Sequence, residues 1–399
     1  MVIGIIGGGA AGMAAALTAA ENPNAQVLVF ERQARVGKKL LATGNGRCNL
    51  TNCSGLAGRY HGEDAAFANP ALERFSVDDT LTWFRNLGLF TVAEDNGRVY
   101  PFSDQANSVV DVLRLAMEKE NITLYTGYEV QKLRRKGPVF CINEEIECDK
   151  LIIACGGLAG TKLGGSMAGY KLLAKFGHKS TRLHPSLVQI KCNWHGSAAL
   201  KGVRAECNVA ILKDGELFKQ GSGELQFTEI GLSGPVIFEL SRDICAVPGM
   251  WVAELDLLPN WDEDTLKTEL ERRRATNLPI EELLTGVIHN RLGRVLVKSA
   301  GVKNCRFAKE LTDAEILDIC KAVKSCQIDL TEPLGMDAAQ VTAGGVYTRD
   351  FDPVTMESKL VPGLYACGEV LDIDGDCGGY NLQWAWSSGR LAGLSAGKE

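Results

Sequence analysis

The sequence predicts an α/β fold in which a dinucleotide-binding Rossmann domain is split by an inserted β domain and a helical subdomain. Two observations predict the Rossmann domain: a strand, a glycine turn and an Ala-rich helix begin the chain, and a second glycine turn precedes its last helix. A third observation predicts the insertion: short alternating runs, followed by charged amphipathic runs, separate the two glycine turns. The expected boundaries are 1–186 and 341–399 for the Rossmann domain, 187–261 for the β domain, 262–325 for the helical subdomain and 326–340 for a return strand.

The first glycine turn joins an apolar strand over residues 2–6 to a helix that runs to Ala20. Gly7, Gly9 and Gly12 have G-x-G-x-x-G spacing. The first turns the chain, the second lets a pyrophosphate approach the backbone, and the third lets the helix pack against the strand. The anion is then held by the N–H groups that open the helix. The residues expected at this site are Gly7, Gly9, Ala10, Ala11 and Gly12.

A second strand, residues 26–30, ends at Glu31, nineteen residues after Gly12. A carboxylate at this place accepts hydrogen bonds from ribose hydroxyls and repels a 2′-phosphate. The loop that follows, residues 32–52, is rich in Gly, Asn, Lys and Arg, as in loops that wrap a diphosphate, although a solvated basic loop has the same composition. Its candidate cofactor contacts are Arg32, Lys39, Gly46, Arg47 and Cys48.

The next stretch continues the α/β pattern. Periodicity predicts helices over 80–87 and 108–120, the second capped by Asn107 or Ser108, and strands over 122–125, 129–133 and 149–155. An aromatic loop at 97–103 either lines a substrate cleft or packs on the surface. The last strand ends in a Gly pair at the ligand-binding edge of the sheet. The candidate contacts here are Val130, beside an adenine, and Ala154, Gly156 and Gly157.

The insertion carries no nucleotide-binding pattern. Alternating runs up to residue 258, with a hairpin turn at Asp214–Gly215, predict an antiparallel sheet. Helical runs follow, and Thr312 and Glu315 have the spacing of a capping box. Because these domains interrupt the Rossmann domain, we expect them to form the wall or lid of a substrate cleft.

The C-terminal part returns to the Rossmann pattern. A strand over 363–367 leads to Glu369, and a glycine loop opens the last helix at Tyr380. A nicotinamide-binding Rossmann domain is normally contiguous, so a larger, permanently bound FAD better explains the recurrence. In flavoproteins of the two-dinucleotide-binding type, an acid after the late strand holds the ribityl or phosphate region, and the last helix points its N–H groups at the pyrimidine edge. The candidate contacts are Gly345, Gly368, Glu369, Gly379, Tyr380 and Asn381.

Composition limits the possible partners. A formal net charge of −6 over 399 residues provides no basic field, so neither nucleic acid nor membrane is expected as a partner. Met1 leads directly into a strand, and no apolar run approaches the roughly 20 residues that span a bilayer, which predicts a cytoplasmic protein. The 13 cysteines include no C-x-x-C pair, so no metal site or disulfide framework is expected. Nothing in the sequence indicates the oligomeric state.

Several motifs accompany the first glycine turn: Thr-Gly-Asn-Gly-Arg-Cys-Asn at 43–49, Thr-Ala-Gly-Gly-Val at 342–346, Thr-Met-Glu-Ser-Lys at 355–359, Gly-Glu-Val-Leu-Asp at 368–372 and Gly-Gly-Tyr-Asn at 378–381. Together they resemble the BaiN-like, YhiN-type family of FAD-dependent oxidoreductases from end to end. The resemblance implies a split FAD domain and a cytosolic oxidoreductase. One member of the family is similar to reductases of conjugated 3-oxo bile-acid intermediates, and others are described as NAD(P)/FAD-dependent oxidoreductases or aminoacetone oxidases.

These observations favour a flavoenzyme that takes hydride from NAD(P)H and reduces an activated C=C bond of a small apolar substrate, such as a 3-oxo-Δ4 steroid or bile-acid intermediate. NAD(P)H is expected to bind transiently over the flavin, because no second G-x-G-x-x-G turn is present. The candidate catalytic residues are Tyr380, Cys48 and Tyr100.

Three alternative functions stay open. A flavin amine oxidase similar to aminoacetone oxidase would use the same cofactor. A flavin disulfide reductase would use Cys48 and Cys53, but it needs a late catalytic His, and the last His is His289. An RNA-associated flavoprotein would use the basic clusters at 35–39 and 272–274.

Overall fold

The computed structural model describes residues 1–302 and 305–398. Contacts divide the chain into two compact units, one of Met1–Pro185 with Met336–Glu399 and one of Ser186–Gly335. The strands, β1 to β21 in chain order, are Val2–Ile6, Gln26–Glu31, Thr51–Asn52, Tyr60–His61, Thr91–Ala93, Arg98–Pro101, Ile122–Thr126, Leu133–Lys136, Val139–Ile142, Ile146–Cys148, Lys150–Ile153, His184–Ser186, Ile190–Asn193, Arg204–Lys213, Glu216–Phe227, Gly231–Ser233, Trp251–Asp256, Cys326–Pro333, Val341–Ala343, Leu364–Ala366 and Asp374–Gly375. The α-helices, α1 to α10, are Ala10–Ala19, Asn69–Arg74, Val77–Asn86, Ala106–Ala116, Ala168–Ala174, Pro235–Ala246, Glu263–Arg274, Asn290–Ser299, Asp313–Lys324 and Tyr380–Ala396.

The first unit is built on a five-stranded parallel sheet with the order β20-β11-β1-β2-β7. Its strands consist mainly of buried Ile, Val, Leu and Phe, as expected for a sheet covered on both faces. The late strand β20 pairs with β11, so the two ends of the chain share one sheet. All five strands are parallel, so Gly7, Glu31, Ala154 and Gly368 lie at or just after strand ends on the same edge. The predicted α/β Rossmann class is confirmed.

Helix α10 packs directly on α1. A Cβ atom at Gly389 would overlap the carbonyl oxygen of Ala11, and one at Gly393 would overlap that of Ala15. The facing surface of α1 is almost entirely Ala, and nine of its ten residues are buried. These small residues let the two backbones approach closely, which fixes the start of α10 relative to the first glycine turn.

Three local expectations in this unit are wrong. Residues 98–101 are not a loop but strand β6, which pairs with β5 and β3 and follows a hairpin turn at Gly97. The strand expected from residue 129 begins only at Leu133. Helix α4 is capped by Gln105 rather than by Asn107 or Ser108. Strand β6 forms by pairing with distant residues, and hydrogen bonds with the side chain of Asn143 hold residues 129–132 outside a regular strand. Helix α4 begins earlier than expected, at the buried Ala106.

The second unit contains a closed barrel with the order β13-β16-β15-β14-β17-β18, together with helices α6 to α9. The turn at Asp214–Gly215 joins β14 to β15, and both residues have positive φ, as a type I′ hairpin turn requires. The Thr312–Glu315 capping box is present. Helix α6 was not expected from the sequence. The division of this unit into a β domain and a helical subdomain stays a prediction.

Within residues 1–302 and 305–398, no helix combines the length and the apolarity that are needed to cross a bilayer.

Candidate active site

The first glycine turn exposes backbone at the carboxyl end of β1. A Cβ atom at Gly7 would overlap the carbonyl oxygen of Ala154, and one at Gly12 would overlap that of Gly7. Gly7 also has a φ of +113°. In contrast, no atom lies within 4 Å of the place where a Cβ of Gly9 would be. Because Gly9 caps α1, this free space adjoins the helix N–H groups that lack an intrahelical acceptor, as a pyrophosphate requires.

Glu31 ends β2 beside this turn. Its Oε2 accepts a hydrogen bond from the Gly8 N–H at 2.8 Å, and its Oε1 accepts one from the Gln33 N–H at 2.7 Å. These bonds orient the carboxylate and leave lone pairs for ribose hydroxyls. Arg32, which was predicted to contact the cofactor, makes a contact within the protein. Its Nη2 donates to the carbonyl of Gly164 at 2.6 Å and so anchors a neighbouring loop.

The segment after β7 lies along the same acid. The Gly127 N–H donates to the carbonyl of Gln33 at 2.8 Å, and the Tyr128 N–H donates to that of Glu31 at 2.9 Å. Val130 follows two residues later and is buried. The predicted adenine contact is therefore close in the chain to residues bonded to the predicted ribose region.

Lys39 and Glu369 meet although they lie at opposite ends of the chain. The Nζ of Lys39 is 2.8 Å from Oε2 of Glu369, and Oε1 of the same carboxylate accepts a hydrogen bond from the Thr342 N–H at 2.9 Å. A side chain at Gly157 would collide with this carboxylate. Three other segments therefore converge on Glu369, the acid predicted for the ribityl or phosphate region.

The other predicted glycines differ in role. Gly156 has a φ of +70° and, like Gly9, free space where its Cβ would lie, so its backbone is open to a ligand. Gly345 permits close packing, since a Cβ there would overlap the backbone of Leu371. Gly368, two residues after the end of β20, has a φ of +75°, which favours glycine there.

The loop over residues 43–49 has an unusual backbone. Gly44 and Gly46 have positive φ, and so do the non-glycine residues Asn45 and Cys48, at 57° and 63°. Such L-residues store strain of order 1–3 kcal/mol each, and strain of this kind concentrates at ligand sites. Asn45 and Gly46 are exposed, so they are available for contact with a cofactor.

Arg47 is held by its neighbours on the β5–β6 hairpin and the turn after it. Its Nη2 lies 2.9 Å from Oε1 of Glu94, its Nε binds Asp104, and its guanidinium lies 3.8 Å from the ring centre of Tyr100. Burial raises the pKa of Tyr100. Arg47 thus positions the loop, while Tyr100 is one of the loop's packing partners.

The two thiols of the possible redox pair have different environments. Cys48 is fully buried, and burial raises its pKa to about 12, although a hydrogen bond with Thr43 partly opposes that shift. Cys53 is exposed, and all 13 cysteines are free thiols. Among the residues that the structure describes, no cluster of His, Cys, Asp and Glu is arranged to hold a metal ion. Because the thiolate is the reactive form, the environment of Cys48 disfavours redox catalysis.

The second glycine loop presents the start of α10. Gly379 has a φ of +104° and packs against the backbone of Thr51, where a side chain would collide. Oδ1 of Asn381 accepts a hydrogen bond from the Gly375 N–H at 2.9 Å, and its Nδ2 donates to the Gly375 carbonyl at 2.7 Å. The side chain of Asn381 therefore clamps the loop, which leaves the backbone N–H groups of the first helical turn as the predicted flavin contacts.

Tyr380 begins this helix and is buried. The hydroxyl of Tyr60 donates to the carbonyl of Tyr380 at 3.1 Å, and the two rings pack edge to face with centroids 6.3 Å apart. Burial gives the Tyr380 side chain a packing role at the start of α10.

Sequence reasoning missed a charged cluster next to this helix. Nε2 of His61 lies 2.7 Å from Oδ1 of Asp376, and Nη1 of Arg59 lies 3.2 Å from Oδ2. Burial alone would raise the pKa of Asp376, but the hydrogen bonds and charges of His61 and Arg59 outweigh it and lower that pKa. Strands β4 and β21 pair to bring these residues together, and no local pattern indicates that pairing.

The described residues fit FAD. The free space at Gly9 and Gly156, the oriented carboxylates of Glu31 and Glu369 and the open start of α10 provide the contacts that a dinucleotide and a flavin ring need. The strained loop and the start of α10 are linked through β3, which pairs with β6 and packs against Gly379.

Comparisons with known proteins identify one family and relatives with two different names. The family model described as "HI0933-like protein Rossmann domain" matches residues 1–395. The chain is 39% identical, over 99% of its length and 98% of the relative's, to 3-dehydro-bile acid delta(4,6)-reductase of Clostridium scindens. It is 32% identical to ribosomal RNA dihydrouridine synthase of Escherichia coli, over 96% of this chain and 95% of that one. It is 28% identical to the protein of that name from Haemophilus influenzae, over 99% of this chain and 98% of that one.

Proposed function

Because the chain belongs to the HI0933-like family of Rossmann-domain proteins, we propose that it reduces a carbon–carbon double bond conjugated to a carbonyl, using FAD and electrons from NAD(P)H. The class of FAD-dependent oxidoreductase follows from the family and from the reductase relative. The bond that is reduced and the electron donor are the proposal.

The 39% identity to a bile-acid reductase is the observation that carries the proposal. The name of that relative describes reduction of double bonds in a 3-oxo steroid. A carbonyl conjugated to C=C withdraws electrons, so the β-carbon accepts a hydride and the α-carbon then takes a proton. A small, largely apolar enone such as a 3-oxo-Δ4 steroid or bile-acid intermediate is therefore the proposed substrate class.

The chain's own residues support this chemistry by binding and orientation. FAD supplies two-electron transfer when it is bound. The turn at Gly7–Gly12 and Glu31 would hold its ADP half, and Glu369, which is fixed by Lys39 and the Thr342 N–H, would hold the ribityl region. The N-terminus of α10 favours negative charge at the pyrimidine edge, and so favours the reduced flavin.

Two of the alternatives receive less support. The buried Cys48 has a raised pKa and disfavours a disulfide reductase. An amine oxidase would use the same cofactor site, and no contact among the described residues is specific to it. NAD(P)H remains the proposed donor, and transient binding over the flavin remains its proposed mode.

Reduction of uracil in ribosomal RNA is the second candidate, because two relatives of nearly full length carry the name dihydrouridine synthase. The uracil C5=C6 bond is also conjugated to a carbonyl, so the bond chemistry is shared. The expectation of no nucleic-acid partner therefore lacks support. The basic triplet adds nothing to this candidate, since Arg272 and Arg273 pair with Glu269 and Arg274 pairs with Asp313.

An anaerobic two-step experiment tests both candidates. The flavin is first reduced with NADH or NADPH, and then mixed with 3-oxo-Δ4 and 3-oxo-Δ4,6 steroids, their saturated analogues as controls, or ribosomal RNA fragments. We expect flavin re-oxidation only with a conjugated C=C, together with a product two mass units heavier. Dihydrouridine in the RNA with no steroid turnover would select the second candidate. Re-oxidation by none of these compounds would refute the proposal.

A further inference from the structure

Strand β4 lies along the segment that joins two predicted flavin contacts. Residues 60–61 pair with Asp374–Gly375, which lie between Glu369 and the start of α10. The Glu63 N–H donates to Oδ2 of Asp372 at 3.1 Å, so the same contact continues past the strand. Residues 59–63 are therefore beside the backbone that connects the predicted ribityl and pyrimidine ends of the site.

Among residues 59–63, His61 carries a side chain that can donate a proton. Its Nε2 is bonded to Asp376, and its Nδ1 makes no hydrogen bond with a described residue. The imidazole is 30% exposed, whereas the partner carboxylate is 19% exposed. A carboxylate on one ring nitrogen fixes the orientation and tautomer of a histidine and compensates the charge of its imidazolium form. Nδ1 is then the nitrogen that can give up a proton.

The other candidate donors exchange protons with water less readily. Tyr380, Tyr100 and Cys48 are 3%, 5% and 0% exposed. Elsewhere in the chain, His178 is buried and stacked on Phe351. A proton donor must be recharged from solvent after each turnover, which favours His61.

We propose that His61, oriented by Asp376, gives the proton that completes reduction of the C=C bond. This inference rests on the proposed function. Bound FAD would supply the hydride in its reduced form; as the β-carbon accepts that hydride, the π electron pair moves to the α-carbon, and that carbon takes the proton from Nδ1 of the imidazolium. The neutral imidazole keeps its Nε2–H on Asp376 and recovers a proton from water. His61 is the catalytic group, and Asp376 is a positioning residue.

The test compares the holoenzyme with His61→Gln, His61→Gly and Asp376→Asn, and uses His195→Gln as a matched control in the second unit. Four quantities are measured: FAD affinity of the apoprotein, flavin reduction by NAD(P)H, re-oxidation by the substrate, and rescue of His61→Gly by added imidazole. Protection of His61 from diethyl pyrocarbonate by bound substrate, read by peptide mass spectrometry, gives a signal independent of turnover.

We expect re-oxidation to slow by about 100- to 10,000-fold in His61→Gln, the usual contribution of a general acid. FAD affinity and flavin reduction should stay within about twofold, since the imidazole takes no part in either. Added imidazole should restore re-oxidation by the substrate in His61→Gly. Asp376→Asn should lower kcat more than it changes KM.

Each contrary result has a distinct meaning. If the wild type turns over and His61→Gln re-oxidises at a similar rate, or if substrate gives no protection of His61, the His61 assignment is overturned while the proposed function stands. If every variant loses FAD, His61 has a structural role and the assignment is also overturned. If the reduced wild type is re-oxidised by no conjugated C=C compound, the proposed function falls, and this inference falls with it.

Discussion

Two carboxylates, Glu31 and Glu369, each connect a predicted cofactor contact to a distant part of the backbone. Glu31 holds the Gly8 N–H of the glycine turn, and Glu369 holds the Thr342 N–H and the ammonium group of Lys39. Acids in such positions are already oriented before a ligand binds, so little ordering cost remains for the ligand to overcome. Single-residue changes at these positions should therefore affect cofactor affinity more than stability.

At Glu31, substitution by Gln tests recognition of the ribose. The amide keeps the shape and one acceptor but loses the charge, so charge-assisted bonds to the ribose hydroxyls weaken. We expect FAD affinity to fall by about 1–2 kcal/mol, or roughly 5- to 30-fold, measured by fluorescence titration of the apoprotein. Glu129→Gln, on the exposed segment nearby, is the control and should bind FAD as the wild type does. Equal FAD affinity in the two variants would contradict the assigned role.

At the scale of elements, the α1–α10 contact determines where the helix predicted to face the flavin starts. Gly389 and Gly393 lie four residues apart, which places both on one face of α10, directly over the Ala residues of α1. The close approach fixes the C-terminal half of α10, and the helix continues from there back to the turn at Gly379. A change near the C-terminal end of this helix should therefore shift its N-terminus.

Gly393→Ala tests this packing. In an unconstrained helix the change would stabilise by about 1 kcal/mol, because Ala has the higher helix propensity. Here the new methyl group would overlap the backbone of Ala15, and overpacking of this kind costs about 1–3 kcal/mol. We expect net destabilisation, measured by denaturant unfolding, together with weaker FAD binding. Gly335→Ala, where the new Cβ meets no atom within 4 Å, is the control, and a Gly393→Ala protein as stable as that control would show that the contact is not tight.

At the scale of the whole molecule, every residue assigned to FAD belongs to the first unit. The predicted contacts lie in Met1–Pro185 or in Met336–Glu399, and the closed barrel with helices α6 to α9 lies in Ser186–Gly335. The first unit should therefore bind the cofactor without the second, whereas substrate turnover should need the second unit as well.

Replacing Ser186–Gly335 by a short Gly/Ser linker tests that separation. We expect the shortened protein to bind FAD, seen as yellow colour and flavin absorbance, because its predicted contacts are all retained. Substrate-dependent re-oxidation should be lost, because the sequence predicts a substrate-binding role for the insertion. The isolated Ser186–Gly335 unit is the complementary control and should bind no FAD. Full turnover by the shortened protein would refute a substrate role for the insertion.

Local patterns in the sequence were sufficient for the Rossmann fold and for most of its glycine positions. Gly7, Gly12 and Gly379 are required by positive φ or by close backbone approach, and such demands are met within a few residues of chain. Their spacing relative to strands and helices therefore predicts the turns. The same holds for the Asp214–Gly215 hairpin and for the capping box at Thr312.

Only the tertiary structure decided which side chains meet. Lys39 and Glu369 lie 330 residues apart, and His61 and Asp376 lie 315 apart, so neither pair leaves a local signal. The burial of Cys48, which makes its thiol a poor nucleophile, likewise depends on packing with distant segments. The sequence by itself determined the backbone that can bind a dinucleotide, because propensity and spacing act locally. The long-range strand pairs and the α1–α10 contact determined the chemistry presented to that backbone, because burial and charge pairing arise only when remote segments pack together.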